Sequence, residues 1–428
     1  MRPQFFFGVE DQPFSLVLEQ EAARSRPQRV YTYPSRSNVV EPLQDNPACT
    51  ARELFRPPPV QQSMKSRLAL AGFAVLIQSW ILPPSGWAAP GDLDLSFGGN
   101  GTVATNFTST DDMAFGVAIQ SDGRIVAVGS ANFQNEFALA RYAHDGSLDA
   151  SFDGDGKFTT TFTGDHDSAH DLAIQTDGKI VAAGTAGFDS FALARYESDG
   201  TLDPSFGEDG KVLTNLTGGF DVAYAVAIQA NGKIVAAGRS AGAGGRFALA
   251  RYESDGTLDP SFSGDGKVFT SFTSGDDYAR DMAIQADGKI VVAGSAGGAG
   301  GRFALARYES DGSLDPSFSA DGKVLTNFTR GVDLALGIAI QSNRRIVAAG
   351  HAGGTRASPR NHKFAIARYR ANGALDRSFS GDGKRMLNFT SGDDWAQDVA
   401  IQPDGKIVAA GRAAGAGGRF ALARFWAT

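Results

Sequence analysis

Two histidines and three carboxylates crowd into seven residues, Asp165-His166-Asp167-Ser168-Ala169-His170-Asp171. Imidazole beside carboxylate is the pairing that binds a transition metal or relays a proton. Along an extended strand His166 and His170 point the same way but stand ~13 Å apart, too far for one metal unless the turn folds back. No histidine neighbours a serine- or cysteine-enzyme signature, and the single cysteine, Cys49, has no intramolecular partner. Turns such as Asp153-Gly154-Asp155-Gly156 invite calcium but lack the closing glutamate of a calcium loop, and turn chemistry accounts for them. The Gly-Ala-Gly-Gly stretches at 242–245 and 415–418 precede neither a helix nor Gly-Lys-Ser/Thr, so they are not phosphate loops. The expectation is no metal, no cofactor and no catalytic residue.

Other polar groups recur six times. Asp112, Asp167, Asp221, Asp277, Asp333 and Asp394 each open a short apolar stretch, and Arg141, Arg195, Arg251, Arg307, Arg368 and Arg424 recur in step with them. One active site needs no six copies, so these are read as structural, the aspartates or turn groups pairing with the arginines between units. The functional alternative is an acidic ring holding a cation near an axis. One position varies instead. In the phrase Asp-x-Ala-y, y is Phe115, His170, Tyr224, Arg280, Leu336 and Gln397. Aromatic, cationic, apolar and amide types at one register position suggest a wet channel mouth and a candidate binding surface; tolerated drift is the bland account.

The elements that must carry these residues follow from the repeat. Leu-Asp-x-Ser-Phe places its phenylalanine at Phe97, Phe152, Phe206, Phe262, Phe318 and Phe379, at spacings of 55, 54, 56, 56 and 61. Units begin near 93, 148, 202, 258, 314 and 375. The fourth reads as four strands: Lys267–Phe272, Arg280–Gln285, Lys289–Gly294 and Arg302–Tyr308, with Ala286-Asp287-Gly288 as a hairpin turn. Phe-Ala-Leu-Ala-Arg has no polar face but alternates large and small residues, as a strand buried on both sides requires. Four short antiparallel strands per unit are the content of a propeller blade. The fold class is therefore all-β, a six-bladed β-propeller with four antiparallel strands per blade. The chain opens on an outer-type strand, Thr102–Phe107, and ends on Phe420–Phe425, so pairing these two would close the ring and remove both edges.

Leu-Asp-Pro-Ser-Phe-x-x-Asp-Gly-Lys-Val, Ala-Ile-Gln-x-Asp-Gly-Lys-Ile-Val and Phe-Ala-Leu-Ala-Arg-Tyr resemble the delta-60 repeat, a bacterial family over all six units, 93–428. The resemblance implies a β-propeller of unknown function in a bacterial envelope or extracellular setting. It brings no catalytic residues.

Residues 1–63 share nothing with the repeats and read as an untranslated or disordered extension. Met64-Lys65-Ser66-Arg67, the apolar run 68–77 and the small residues Ala88 and Ala89 form a secretory signal peptide over 64–88. The apolar run is too short for the ~20 residues of a bilayer span. Residues 89–428 carry 31 basic against 40 acidic residues, a balance that excludes nucleic acid as a partner. The expectation is a secreted, periplasmic or envelope-associated monomer, without a transmembrane segment in its mature form, that binds a protein or glycan ligand and is not an enzyme. The rivals are a hydrolase or lyase with its site on the propeller axis, and a purely structural surface protein.

Overall fold

The structure is a computed structural model that describes residues 93–241, 244–297, 301–355, 358–414 and 419–426. The segments expected to be a signal peptide, 64–88, and an extension, 1–63, lie outside these residues. Six antiparallel sheets follow one another along the chain. The first holds β1 (Met113–Ile119), β2 (Ile125–Ala131), β3 (Glu136–Tyr142) and β4 (Lys157–Thr160). The second holds β5 (Ser168–Ile174), β6 (Ile180–Ala186), β7 (Ser190–Tyr196) and β8 (Lys211–Thr214). The third is β9 (Val222–Ile228), β10 (Ile234–Ser240), β11 (Arg246–Tyr252) and β12 (Lys267–Thr270). The fourth is β13 (Tyr278–Ile284), β14 (Ile290–Ala296), β15 (Arg302–Tyr308) and β16 (Lys323–Thr326). The fifth is β17 (Val332–Ile340), the long pair β18 (Ile346–Thr355) and β19 (Ser358–Tyr369), and β20 (Lys384–Leu387). The sixth has three strands, β21 (Asp394–Ile401), β22 (Ile407–Ala413) and β23 (Arg419–Phe425). Six such sheets fit a six-bladed propeller.

Each of the first five sheets takes its fourth, outer strand from the next repeat unit, as the chain order of the strands requires. The inner strand starts earlier than expected, at Tyr278 rather than Arg280. Its start is fixed by Asp277, whose carboxylate accepts Phe272 N (2.7 Å), Thr273 Oγ1 (3.0 Å) and Gly297 N (3.0 Å). One buried side chain thereby ties the end of the outer strand to the start of the inner one.

Between consecutive sheets lies an apolar layer built from the two faces of the Phe-Ala-Leu-Ala strand. Phe191 and Leu193 of β7 pack forward against the third sheet, while Ala192 and Ala194 pack back against the first. Large faces meet small ones at each junction, so the sheets approach closely without voids. At the two ends the pattern has no partner. Val117 and Ile119 of β1 are 68% and 72% exposed, and Phe420 and Leu422 of β23 lie open to solvent.

The expected pairing of Thr102–Phe107 with β23 is not formed: those residues make no strand, and β23 pairs only with β22. The segment is held elsewhere. Gly98 N donates to Asp145 O, Tyr142 OH bonds Thr105 Oγ1 (2.8 Å), and Lys157 Nζ reaches Asn106 O (3.3 Å). Outer strands make the same contacts with the sheet that follows them: Gly207 N to Asp255 O, Tyr252 OH to Thr214 Oγ1, Lys267 Nζ to Asn215 O. The segment thus occupies the place of an outer strand while lacking the strand beside it.

Every inner strand is interrupted by one β-bulge. Ala279 pairs with Gly294 and Asp281 with Ala293, leaving Arg280 as the extra residue. Phe115, His170, Tyr224, Leu336 and Gln397 are skipped in the same way. Opposite each bulge stands a glycine. A Cβ on Gly294 would lie 1.8 Å from Tyr278 O, and its five counterparts would meet the facing carbonyl within 2.0 Å. Gly294→Ala should therefore lower unfolding free energy by about 3 kcal/mol in denaturant titration, against about 0.5 kcal/mol or less for Gly301→Ala. The control is open, since a Cβ on Gly301 meets nothing nearer than 3.4 Å.

Candidate functional site

A bulge re-aims the side chain of its extra residue, and here it turns the variable side chains toward one another across neighbouring inner strands. Phe115 and His170 have ring centroids 5.5 Å apart, and His170 and Tyr224 are 5.3 Å apart. The Arg280 guanidinium lies 4.4 Å from the Tyr224 ring and 5.3 Å from that of Tyr278. Four of the six variable residues form one continuous aromatic–cationic chain. Leu336, half-buried, and Gln397, exposed, hold the equivalent positions without extending it. Burial, then the charge of Arg280, holds His170 down to about 4, so its ring is neutral at physiological pH.

One residue beyond the bulge a second pattern alternates around the repeat: Gly116, Asp171, Ala225, Asp281, Gly337 and Asp398. The three carboxylates converge from the second, fourth and sixth sheets. Asp171 Oδ2 accepts Val226 N of the next sheet (2.8 Å) and its Oδ1 accepts Leu172 N. Asp281 does the same with Ile338 N (2.7 Å) and Met282 N. Asp398, more open, accepts only Val399 N. The small residues between make room: a Cβ on Gly337 would lie 2.7 Å from the Cα of Asp398. Burial pushes Asp281 up to about 8 and Asp171 to about 6, the charge of Asp398 raises both further, and their N–H donors oppose the shift. Asp398 is raised as well, by burial.

The arginines pair with turn groups of their own and the next unit, one branch of the expectation, and not with the aspartates that open the inner strands. Asp112, Asp167, Asp221, Asp277, Asp333 and Asp394 cap their own loops. Arg141, Arg195, Arg251, Arg307 and Arg368 take the aspartate of the Leu-Asp-x-Ser-Phe that follows: Arg195 Nε donates to Asp203 Oδ2 (2.6 Å), a second nitrogen to Ser205 Oγ, and a third to Ser254 O of the next sheet. The guanidinium lies over Phe206, and Lys179 adds a further bond to Asp203 (2.8 Å). The arginine is only eight residues from this aspartate, which lies in the turn directly after its strand. These latches are structural. They hold Asp203 well below the usual carboxylate range despite its partial burial.

The two histidines of the acidic stretch part company: His166 stacks on Phe188 (3.5 Å between centroids) while His170 joins the inner chain. A different histidine pair is brought together by the long β18–β19 hairpin. His351 and His362 have centroids 4.4 Å apart, His362 Nδ1 lies 3.2 Å from Asp393, and Trp395 is 5.8 Å from His351. Burial holds His351 down to about 3. The signal was present in the 61-residue spacing, whose extra residues lie between these histidines. Among the described residues no three His, Cys, Asp or Glu side chains are grouped to hold a metal ion. A cleft of about 690 Å³ lies off the axis between the first two sheets, lined by Gln120, Arg124, Arg141, Gln175 and Asp199.

Six sheets built on one repeated unit define a β-propeller repeat protein. Six stretches, 120–152, 175–206, 229–262, 285–318, 341–379 and 402–428, match the model of a β-propeller domain of unknown function, DUF5122. The match supports a β-propeller repeat family. No curated protein matches the chain. Among solved structures it is similar to a catalytically inactive virginiamycin B lyase of Staphylococcus aureus, at 12% identity and a TM-score of 0.39 over 74% of this chain and 94% of that one. It is also similar to the periplasmic gluconolactonase of Pseudomonas aeruginosa, at 14% identity and a TM-score of 0.39 over 66% and 72%. A polysaccharide lyase of the ulvan lyase type matches at 12% and 0.47 over 72% and 78%.

The opposed shifts give a pH dependence with a worked sign. His170 and His351 titrate lower in the fold than in the unfolded chain, so they add stability as pH rises toward the ordinary histidine value of about 6.5. Asp281 titrates higher in the fold, so its contribution is lost as pH rises through about 8. Above about pH 6.5 the histidine effect is complete and Tm should fall up to pH 8. Asp281→Asn should flatten that segment whatever its absolute Tm; an unchanged slope would reassign it.

Proposed function

We propose that the protein is a non-enzymatic binding module whose ligand, a glycan or a protein, is taken up where the six bulge residues converge. The observation that carries this reading is the contrast between a backbone held constant by its glycines and a side chain that differs at every copy. Four of these side chains nevertheless touch in sequence, Phe115 to His170 to Tyr224 to Arg280. Exposed and half-buried rings beside a cation suit recognition rather than core packing. A glycan array and a pull-down with the purified protein would identify the ligand. Tyr224→Ala should then weaken binding about tenfold, near 1.4 kcal/mol, with little change in Tm; unchanged affinity would return these positions to drift.

A second reading has its own observation. Asp171, Asp281 and Asp398 converge with raised pKa values, the setting of a general acid. Against it, Asp171 and Asp281 each already serve two backbone N–H groups. Turnover of an oligosaccharide or lactone that Asp281→Asn abolishes would favour the enzyme.

The binding reading includes export and ring closure. Export rests on the basic, apolar and small-residue pattern of 64–88, and mass spectrometry of secreted or periplasmic material should find an N-terminus near Ala89 rather than Met1. For closure, the support is the outer-strand place already held by 97–107 and the two uncovered apolar faces, Val117 and Ile119 on β1 and Phe420 and Leu422 on β23. By the register of the other sheets, Ala104 would face Ala421. Ala104→Cys with Ala421→Cys should form a disulfide within one molecule. A disulfide formed only between molecules would show that a second copy supplies the strand, and none at all would leave the arc open.

A further inference from the structure

Most arginines at the sheet junctions have an acidic partner. Arg195 has Asp203, and Arg239, which lies over Tyr278, has Asp276 at 3.4 Å. Arg280, on the row of bulge residues, lacks one. Its guanidinium rests between Tyr224 and Tyr278, its Nε is buried without a hydrogen-bond acceptor, and among the described residues it has no ion pair. Its charge is nonetheless felt, depressing both His170 and His351. The adjacent Asp281 does not neutralise it, because enclosure keeps that carboxyl protonated at neutral pH. A guanidinium fixed by two rings and lacking a counter-ion is preorganised for a planar anion, which it can grip with two parallel N–H donors.

The rings around it decide which anion. Tyr224 and Tyr278 flank the cation, and His170 and Phe115 continue the row of rings from Tyr224, with faces that suit the C–H face of a pyranose. The other arginine on the Tyr278 ring, Arg239, is already engaged by Asp276 (3.4 Å), so Arg280 meets an anion as a single cation, which suits a carboxylate better than the dianionic end of a phosphate. Resting on the binding reading above, we infer that the site selects a carboxylate-bearing sugar, the acid pairing with Arg280 and the ring faces lying against Tyr224 and its aromatic neighbours.

The test uses the purified protein and a panel of uronic- and sialic-acid oligosaccharides, each with its carboxyl-amidated counterpart, measured by calorimetry. At least one acid form should bind tenfold or more tightly than its amide. Arg280→Gln should erase that difference and Arg280→Lys should keep part of it, while Tyr224→Ala should weaken both forms. Thermal melting of each variant confirms that the fold is intact. Equal binding of acid and amide would overturn the inference and leave the binding site standing. Binding of poly-glutamate but of no oligosaccharide would overturn it in favour of an acidic protein partner. Sugar binding that is indifferent to both Arg280→Gln and Tyr224→Ala would sink the inference together with the site.

Discussion

Everything distinctive about the centre of this molecule rests on a contact that tolerates no Cβ. Where the second strand of each sheet passes the first, a glycine sits against a carbonyl at a distance only a hydrogen could occupy. That close approach lets the inner strand carry one residue more than its partner, and the extra residue is freed from the alternation that would send it into a junction. The six most variable residues of the repeat are therefore compatible with a nearly invariant scaffold. Substituting them perturbs no ladder, because none of them has a ladder partner.

Away from the centre, two complementary interactions keep the sheets in step. Apolar burial supplies the bulk of the association, with phenylalanine and leucine of one sheet meeting alanines of the next. It is non-directional and would permit sliding. The arginine latches supply direction: each guanidinium holds the turn of its own unit through an aspartate and a serine, and reaches one carbonyl of the neighbouring unit. The tyrosine–threonine bonds add a second fixed point, with Tyr196 OH 2.7 Å from Thr160 Oγ1 across the junction. Tyr196, Tyr252, Tyr308 and Tyr369 are fully buried, which drives their pKa values upward and keeps them neutral.

The architecture was legible in the sequence because repetition multiplies weak signals. A single Phe-Ala-Leu-Ala-Arg could be a helix or a strand, but six of them in register with Asp-Gly turns could not. The register position of Phe115, His170, Tyr224, Arg280, Leu336 and Gln397 was legible too, as a place where all six copies differ in residue type. Its physical cause was not. A bulge leaves no residue signature on its own strand, and here the clue lay in the glycine of the opposite one, such as Gly184 facing Ala169. The arginine partners were misassigned because two aspartates recur in each unit and spacing alone does not say which reaches the guanidinium. The three inner carboxylates escaped notice because they alternate between units rather than repeat in each.

That alternation has a consequence for how the units of such a molecule are counted. Asp171 and Asp281 each have a small residue on the sheet before and a backbone N–H on the sheet after, as Asp171 has in Gly116 and Val226. Large and small must therefore take turns around the axis, like opposite spins on neighbouring sites. Deleting a single internal unit would set two carboxylates, or two small residues, side by side. By its inner positions the chain is better counted as three doublets, Gly116–Asp171, Ala225–Asp281 and Gly337–Asp398, than as six equal units.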